Sequence, residues 1–172
     1  MDFREERMLK APQPLTLKQV DSLYWLGRYT ERVLTTLRIF MNVYDSQIDT
    51  TFDYAAYCDK LDIYNGFSSL KEFCERYAFD RTYPSSIIAS LTYANGNAMM
   101  LRETIGSDAL AYIEMALRIM LDAQFSESPV LQFQRVIDCI MAFKGMVADT
   151  VADRNVRNVI LCGYGVERLD IY

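Results

Sequence analysis

The heptapeptide Gly27-Arg28-Tyr29-Thr30-Glu31-Arg32-Val33 lies near the start of the chain, and Gly163-Tyr164-Gly165-Val166-Glu167-Arg168-Leu169 lies near its end. The two share one pattern, in which a glycine stands four residues before a Glu-Arg pair. Positions four residues apart lie on the same face of a helix, so each copy predicts a bare strip of backbone beside a carboxylate. The repeat therefore predicts that the first and last long helices are structural counterparts. It also predicts that Gly27 and Gly163 lie at close helix crossings.

The two Glu-Arg pairs form the candidate site. Adjacent residues differ by about 100° around a helix, so the Glu and Arg of one copy do not face each other. If the two helices lie side by side, Glu31 meets Arg168 and Glu167 meets Arg32, which gives two crossed ion pairs about a pseudo-twofold axis. On one interpretation, the pairs only fix the helix register. On the other, they line a cleft for a carboxylate or amide ligand, which a planar guanidinium binds well.

Composition and charge exclude several classes of protein. The 172 residues carry a formal net charge of -5 and contain no Lys/Arg-rich stripe, which argues against a nucleic-acid partner. The longest uncharged stretch, residues 83–101, contains too many polar side chains for a membrane span. Residues 1–10 are charged and lack the apolar run of a secretory signal, so a cytoplasmic location is expected. Both a monomer and a homo-oligomer remain open.

The periodicity of the apolar residues is helical, and strand-like alternation is absent. We predict one all-α bundle over residues 16–172, preceded by a flexible segment over residues 1–15. Thr16 with Gln19, and Ser69 with Glu72, form capping boxes, while Pro84 suits a first helical turn and Ser107 an N-cap. Caps included, the helices are predicted over about residues 17–50, 69–79, 85–104, 107–125, 128–151 and 153–172.

Neither a metal nor a cofactor is expected. The row Asp45, Asp49 and Asp53 is compatible with a divalent-cation site or with a solvated helix face. The solvated face is favoured, because no histidine or glycine-bearing loop completes a ligand set. The chain contains no histidine, and therefore no Glu-x-x-His pair of the kind used by di-iron bundles. The four cysteines are expected to be buried free thiols, namely Cys58, Cys74, Cys139 and Cys162.

Three segments in order resemble one family. Residues 22–32, which read Ser-Leu-Tyr-Trp-Leu-Gly-Arg-Tyr-Thr-Glu-Arg, resemble the opening helix of the bacterial alpha-E domain proteins, all-helical proteins named for a recurrent Glu-Arg motif. Pro84-Ser85-Ser86-Ile87, followed by Asn97-Ala98 and Arg102-Glu103, resembles their central helix. Residues 163–170 resemble their second Glu-Arg helix. Two departures stand out: Asn95-Gly96 stands where the family typically has a charged Arg-Glu pair, and family members commonly continue beyond the second motif.

The resemblance implies a function mainly by association. Alpha-E proteins are typically encoded beside, or fused to, circularly permuted ATP-grasp proteins and transglutaminase-like proteins, a set suspected of making or modifying peptides. We therefore expect a helical accessory or scaffold protein that acts with an ATP-grasp ligase-type peptide-modifying system, without independent catalysis. The alternative is an enzyme or enzyme subunit that binds a carboxylate or peptide substrate at the Glu-Arg cluster.

Four residues are secondary site candidates, namely Arg28, Trp25, Asn97 and Arg102. Trp25 and its neighbour Tyr24 form either an aromatic wall over a ligand or part of the core, and the core is favoured at helical spacing. The backbone N–H groups at Ser85 and Ser86 suit either an anion or the start of a helix, and helix initiation is preferred.

Overall fold

The structure of the protein is a computed structural model that describes residues 14–45 and 52–171. Over these two ranges the chain forms eight α-helices and no β-strand, which confirms the predicted all-α fold. The helices are α1 (Leu17–Asp45), α2 (Tyr54–Lys60), α3 (Leu70–Phe79), α4 (Ile87–Met100), α5 (Arg102–Ile105), α6 (Ser107–Ala123), α7 (Pro129–Thr150) and α8 (Arg154–Ile171). No helix among them is long and apolar enough to cross a membrane. The predicted flexible segment lies almost entirely outside the described residues.

Helix α1 is the centre of the bundle. It packs against α8, α4 and α7, while α6 packs against α7 and α4. Toward its C-terminal half, the Phe40 ring contacts Phe73 of α3, Tyr77 of α3 and Phe133 of α7, with ring centroids 5.8 to 6.4 Å apart. Burying large aromatic rings is strongly stabilising. This aromatic cluster therefore fixes α3 and α7 against α1 and leaves the N-terminal half of α1 to α8 and α4.

The predicted capping box at the start of α1 is present. The Thr16 N–H donates to Gln19 Oε1 at 2.9 Å, and the Gln19 N–H donates to Thr16 Oγ1 at 3.2 Å. At α3 the Glu72 N–H donates to Ser69 Oγ at 3.2 Å, but the Glu72 carboxylate accepts from the Ser68 N–H at 2.8 Å. In the second capping box, the Glu72 carboxylate therefore binds the N–H group of Ser68, one residue before the N-cap Ser69.

The central helix is shorter than predicted. Ser86, and not Pro84 or Ser85, begins it: the Ser86 hydroxyl accepts from the Ala89 N–H at 3.1 Å and donates to the Asp80 carbonyl oxygen at 2.7 Å. Because this second bond ties the cap to the end of α3, Pro84 lies in the preceding turn. The helix also ends at Met100, and residues 102–105 form the separate short helix α5.

Gly106 separates α5 from α6. Its φ of 90° lies in a region that favours glycine, and it occupies the N-cap position of α6. The prediction that Ser107 is the N-cap is wrong, because Ser107 is already the first helical residue.

Two further predictions need correction. Asp53 does not continue a helical acidic row, because it is the N-cap of α2, where its carboxylate accepts from the Ala56 N–H at 3.0 Å. Asp49 lies outside the described residues, and α2 itself was not predicted. All four cysteines are free, but Cys162 is exposed rather than buried. It lies next to Gly163, and since Gly163 faces α1, the adjacent position points about 100° away.

Candidate functional site

Helices α1 and α8 cross at Gly27 and Gly163. A Cβ added to Gly27 would lie 3.1 Å from Gly163 Cα and would clash with the Ile160 carbonyl oxygen. A Cβ added to Gly163 would lie 2.9 Å from the Arg28 backbone nitrogen and would clash with the Tyr24 carbonyl oxygen. The expected close crossing is therefore present. It brings the two Glu-Arg pairs within reach of each other.

Two guanidinium groups of α1 hold the Glu167 carboxylate of α8. Glu167 Oε1 accepts from Arg32 Nε at 2.5 Å, and Oε2 accepts from Arg28 Nε at 2.5 Å and Arg32 Nη2 at 3.1 Å. Arg28 also forms an ion pair with Asp170 through Nη2. The sequence suggested the Arg32 pair, whereas Arg28 was only a secondary candidate. Arg28 reaches the same carboxylate as Arg32 because the two arginines are four residues apart on one face of α1.

The Glu31 carboxylate of α1 binds one cation from each of two helices. Glu31 Oε1 accepts from Arg168 Nε of α8 at 2.6 Å, and Oε2 accepts from Lys144 Nζ of α7 at 2.5 Å. The Lys144 ammonium also lies 4.2 Å from the centroid of the Tyr164 ring, within the range of a cation–π interaction. Sequence reasoning missed Lys144. The available signal was a lone lysine within the largely apolar α7.

Both crossed pairs are thus present, but the pseudo-twofold symmetry is imperfect. The side chains of Arg28 and Arg32 are 12% and 30% exposed, whereas that of Arg168 is 57% exposed. The Glu167 half of the cluster is therefore the more buried half. Within residues 14–45 and 52–171, the four cations Arg28, Arg32, Lys144 and Arg168 of the cluster pair with three carboxylates, those of Glu31, Glu167 and Asp170.

The charged groups shift one another's pKa. Burial raises the pKa of Glu31, but the hydrogen bonds and charges of Arg168 and Lys144 outweigh it, so the pKa lies below its ordinary 4.5. Burial lowers the pKa of Arg28, but Tyr24, Glu167 and Asp170 outweigh it and the net shift is upward. Glu31 is therefore ionised at neutral pH and holds no proton to donate.

The lowered pKa of Glu31 predicts a pH dependence of stability. Because the folded pKa is below the unfolded value, the carboxylate stabilises the fold fully above about pH 4.5. This contribution is lost as pH falls through the lower folded pKa. We expect the difference in free energy of unfolding between the native protein and Glu31→Gln to shrink below pH 4.5 in urea titrations. The exposed Glu114→Gln on α6 is the control, and a difference that stays constant down to pH 3 would contradict the expectation.

A cleft of about 280 Å³ opens beside Arg28 and Arg32. Its other lining residues include Thr36, Asp62, Tyr77, Ser85, Glu167 and Asp170. Arg32 uses Nε and Nη2 on Glu167, and Nη1 makes no hydrogen bond to any residue in the described ranges. Since a guanidinium has five N–H donors, Arg32 retains donors for a ligand in this cleft.

The remaining candidates lie elsewhere. Trp25 and Asn97 line a second cavity of about 390 Å³ between α1 and α4, together with Tyr29, Tyr93 and Gly96. Trp25 is half-buried and lines the edge of this cavity. The favoured prediction that it belongs to the core is therefore wrong. Arg102 is exposed, and its Nε donates to Ser107 Oγ at 3.1 Å. It lines neither cavity.

Comparison with known proteins gives one assignment. A family model for Alpha-E, described as a predicted alpha-helical domain with a conserved ER motif, matches residues 16–172. The comparisons with curated proteins and with solved structures gave no match. The two Glu-Arg dipeptides at the α1–α8 crossing lie within the matched range, which covers nearly the whole sequence. The chain belongs to the Alpha-E family.

Proposed function

We propose that this protein is a cytoplasmic helical accessory protein of an ATP-grasp ligase-type peptide-modifying system. In this role it holds a carboxylate-bearing peptide and leaves the chemistry to its partner. The circularly permuted ATP-grasp protein is the proposed main partner, and a transglutaminase-like protein is the second. The choice of partners rests on the resemblance to alpha-E proteins.

One observation carries the choice of binding over catalysis. Both oxygens of Glu31 and both oxygens of Glu167 accept hydrogen bonds from Arg or Lys side chains at 2.5 to 3.1 Å. A general acid must hold a proton, and a general base needs a lone pair within reach of the substrate. Carboxylates held in this way suit neither task. Arg32 lines the cleft and has donors that Glu167 does not use, which suits recognition of a carboxylate.

The alternative is an enzyme or enzyme subunit that handles a carboxylate or peptide substrate at the cluster. The cleft of about 280 Å³ beside Arg28 and Arg32 favours it, because catalytic sites are concave and lined by a few polar groups. The two proposals differ in what the protein does alone. The accessory protein binds a peptide without converting it.

The proposal is tested by mixing the purified protein with a purified circularly permuted ATP-grasp protein from the same organism. We expect co-elution in size-exclusion chromatography and faster release of ADP in the presence of a peptide pool than with the ATP-grasp protein alone. Mass spectrometry of the same peptides with this protein alone should show no product. A product from the protein alone would favour the enzyme, and the absence of both co-elution and stimulation would contradict the accessory role.

A further inference from the structure

An aromatic wall faces solvent between α1 and α4. The rings of Trp25 and Tyr29 stack with centroids 5.3 Å apart, and the Tyr93 ring of α4 lies 5.3 Å from that of Tyr29. Tyr93 is 47% exposed. The three rings border the cavity of about 390 Å³, so a ligand entering it would contact an extended π surface.

The rest of this cavity is uncharged. A Cβ added to Gly96 would meet no atom within 4 Å, so the missing side chain leaves space that no neighbour fills. The half-buried Asn97 lines the same cavity, and its side-chain amide makes no hydrogen bond to any residue of the described ranges. A π surface suits an uncharged aromatic ring. The amide beside it can form a hydrogen bond with a polar edge of that ring or with the backbone of the ligand that carries the ring.

A contact on α1 links the aromatic cavity to the arginine cleft, because Tyr29 lines the cavity and Arg32 lines the cleft. Trp25, Tyr29 and Arg32 follow one another at spacings of four and three residues on one face of α1, and the guanidinium carbon of Arg32 lies 5.9 Å from the Tyr29 ring centroid. Seven residues of helix span about 10 Å, which is the length of about three residues of extended peptide. This face of α1 thus offers an aromatic subsite and an anion subsite at a spacing that an extended peptide can span.

The charges of the cleft restrict the anion. Glu167, Asp170 and Asp62 line it together with Arg28 and Arg32, so a ligand with several negative charges would meet three carboxylates. Like charges in proximity are unfavourable, and the penalty grows with the charge of the ligand. A single carboxylate on the Arg32 Nη1 donors meets less repulsion than a multiply charged ligand does. A nucleotide, with a base for the aromatic wall but a phosphate for the cleft, fits less well.

We propose that the face of α1 from Trp25 to Arg32 binds an extended peptide segment whose aromatic side chain enters the Trp25–Tyr29–Tyr93 cavity and whose carboxylate, about three residues away, binds Arg32. This inference rests on the proposed function for the choice of a peptide as ligand. It adds the chemical class of that peptide.

The single tryptophan of the chain makes the test direct. Trp25 fluorescence emission is followed during titration with N-acetyl-Phe-Ala-Ala. This peptide is three residues long and has an aromatic ring at its first residue and a free carboxylate at its C-terminus. We expect saturable binding that is about tenfold or more weaker for N-acetyl-Phe-Ala-Ala-amide, which lacks the carboxylate, and for N-acetyl-Ala-Ala-Ala, which lacks the ring. Calorimetry provides the dissociation constants independently.

A matched pair of variants assigns the site. Gly96→Leu places a side chain in the aromatic cavity, whereas Gly145→Leu adds the same side chain at an exposed position of α7 where it also meets no neighbour. Both should retain the native helical circular dichroism and melt cooperatively. We expect Gly96→Leu to weaken binding about tenfold or more and Gly145→Leu to bind as the native protein does.

Several results would overturn the inference. They are equal affinity for the three peptides, no saturable change with any of them, an unaffected Gly96→Leu variant, or tighter binding of AMP than of N-acetyl-Phe-Ala-Ala. The association with the ATP-grasp protein is measured separately. If that complex forms while the peptides fail to bind, this inference fails and the proposed function stands.

Discussion

Glu167→Gln is expected to lower the free energy of unfolding by about 3 to 5 kcal/mol. The native carboxylate is 2% exposed and forms ion pairs with both Arg28 and Arg32. The neutral amide would leave two neighbouring guanidinium groups without their common counter-charge. Arg28 is only 12% exposed and cannot recover its hydration without moving the helices apart. Urea unfolding followed by circular dichroism measures the loss.

Asp170→Asn is the matched control, because Asp170 pairs with the same Arg28 but is 53% exposed. Exposed ion pairs contribute little, so a cost of about 0 to 1 kcal/mol is expected. Adding Arg28→Met to Glu167→Gln should recover part of the loss, since one stranded charge is then removed. If Glu167→Gln costs no more than Asp170→Asn, the buried pairs do not stabilise the α1–α8 interface.

Glu31→Gln should cost less than Glu167→Gln, although the sequence treats the two motifs as equivalent. Arg168 is 57% exposed and can return to water when its partner is lost. Lys144, at 17% exposed, is the cation that would be stranded. The repeated pattern predicts the pairing across the two helices. The exposure of each cation, however, depends on the other groups that pack around its ion pair. On the Glu31 side α7 supplies Lys144, and on the Glu167 side α1 itself supplies Arg28.

The sequence predicts the parts of this site that depend on spacing within one helix. The four-residue step from glycine to glutamate suffices to predict the crossing and the crossed pairs. Lys144 depends on the rotation of α7 about its axis, and it contacts Glu31 across 113 positions of sequence. A single sequence contains no measure of that rotation. Trp25 and Asn97 were named as separate candidates, but the cavity that they share was not predicted. Its other residues, Tyr93 and Gly96 of α4, meet α1 only after packing.

The same distinction holds for the fold. Local signals identified the start of α1 at Thr16 and the start of α7 at Pro129. They failed where a contact outside the helix decides, as at Ser86, whose hydroxyl donates to the Asp80 carbonyl oxygen at the end of α3 while α4 begins at Ile87. The start of α6 near Ser107 was predicted, but the φ of 90° at Gly106, the residue that occupies the cap position instead of Ser107, depends on the geometry of the turn.

Gly163→Ala is expected to lower the free energy of unfolding by about 1 to 3 kcal/mol through overpacking. Alanine is the better helix former by about 1 kcal/mol, so the sign of the change reports which effect dominates. Here the added Cβ meets the Tyr24 carbonyl oxygen and the Arg28 backbone nitrogen of α1. Backbone atoms cannot rotate away as a flexible side chain can. Gly27→Ala should act in the same direction, because its Cβ meets the Ile160 carbonyl oxygen.

Gly165→Ala on the same helix is the control. Gly165 is exposed, and an added Cβ would have no neighbour within 4 Å, so alanine there should stabilise the protein by about 0.5 to 1 kcal/mol. Thermal melts of the two variants should therefore shift in opposite directions. A Gly163→Ala variant that melts at or above the temperature of Gly165→Ala would exclude a close crossing.

The glycine and the ion pairs should also be energetically coupled. Relief of the clash at Gly163 requires α1 and α8 to separate, and this separation lengthens the bonds from Arg28 and Arg32 to Glu167 and admits water to them. Glu167→Gln should then cost less in the Gly163→Ala background than in the native one, since contacting sites are not additive. In the Gly165→Ala background the cost should be unchanged. Equal costs in all three backgrounds would mean that the crossing and the charge cluster stabilise the fold independently.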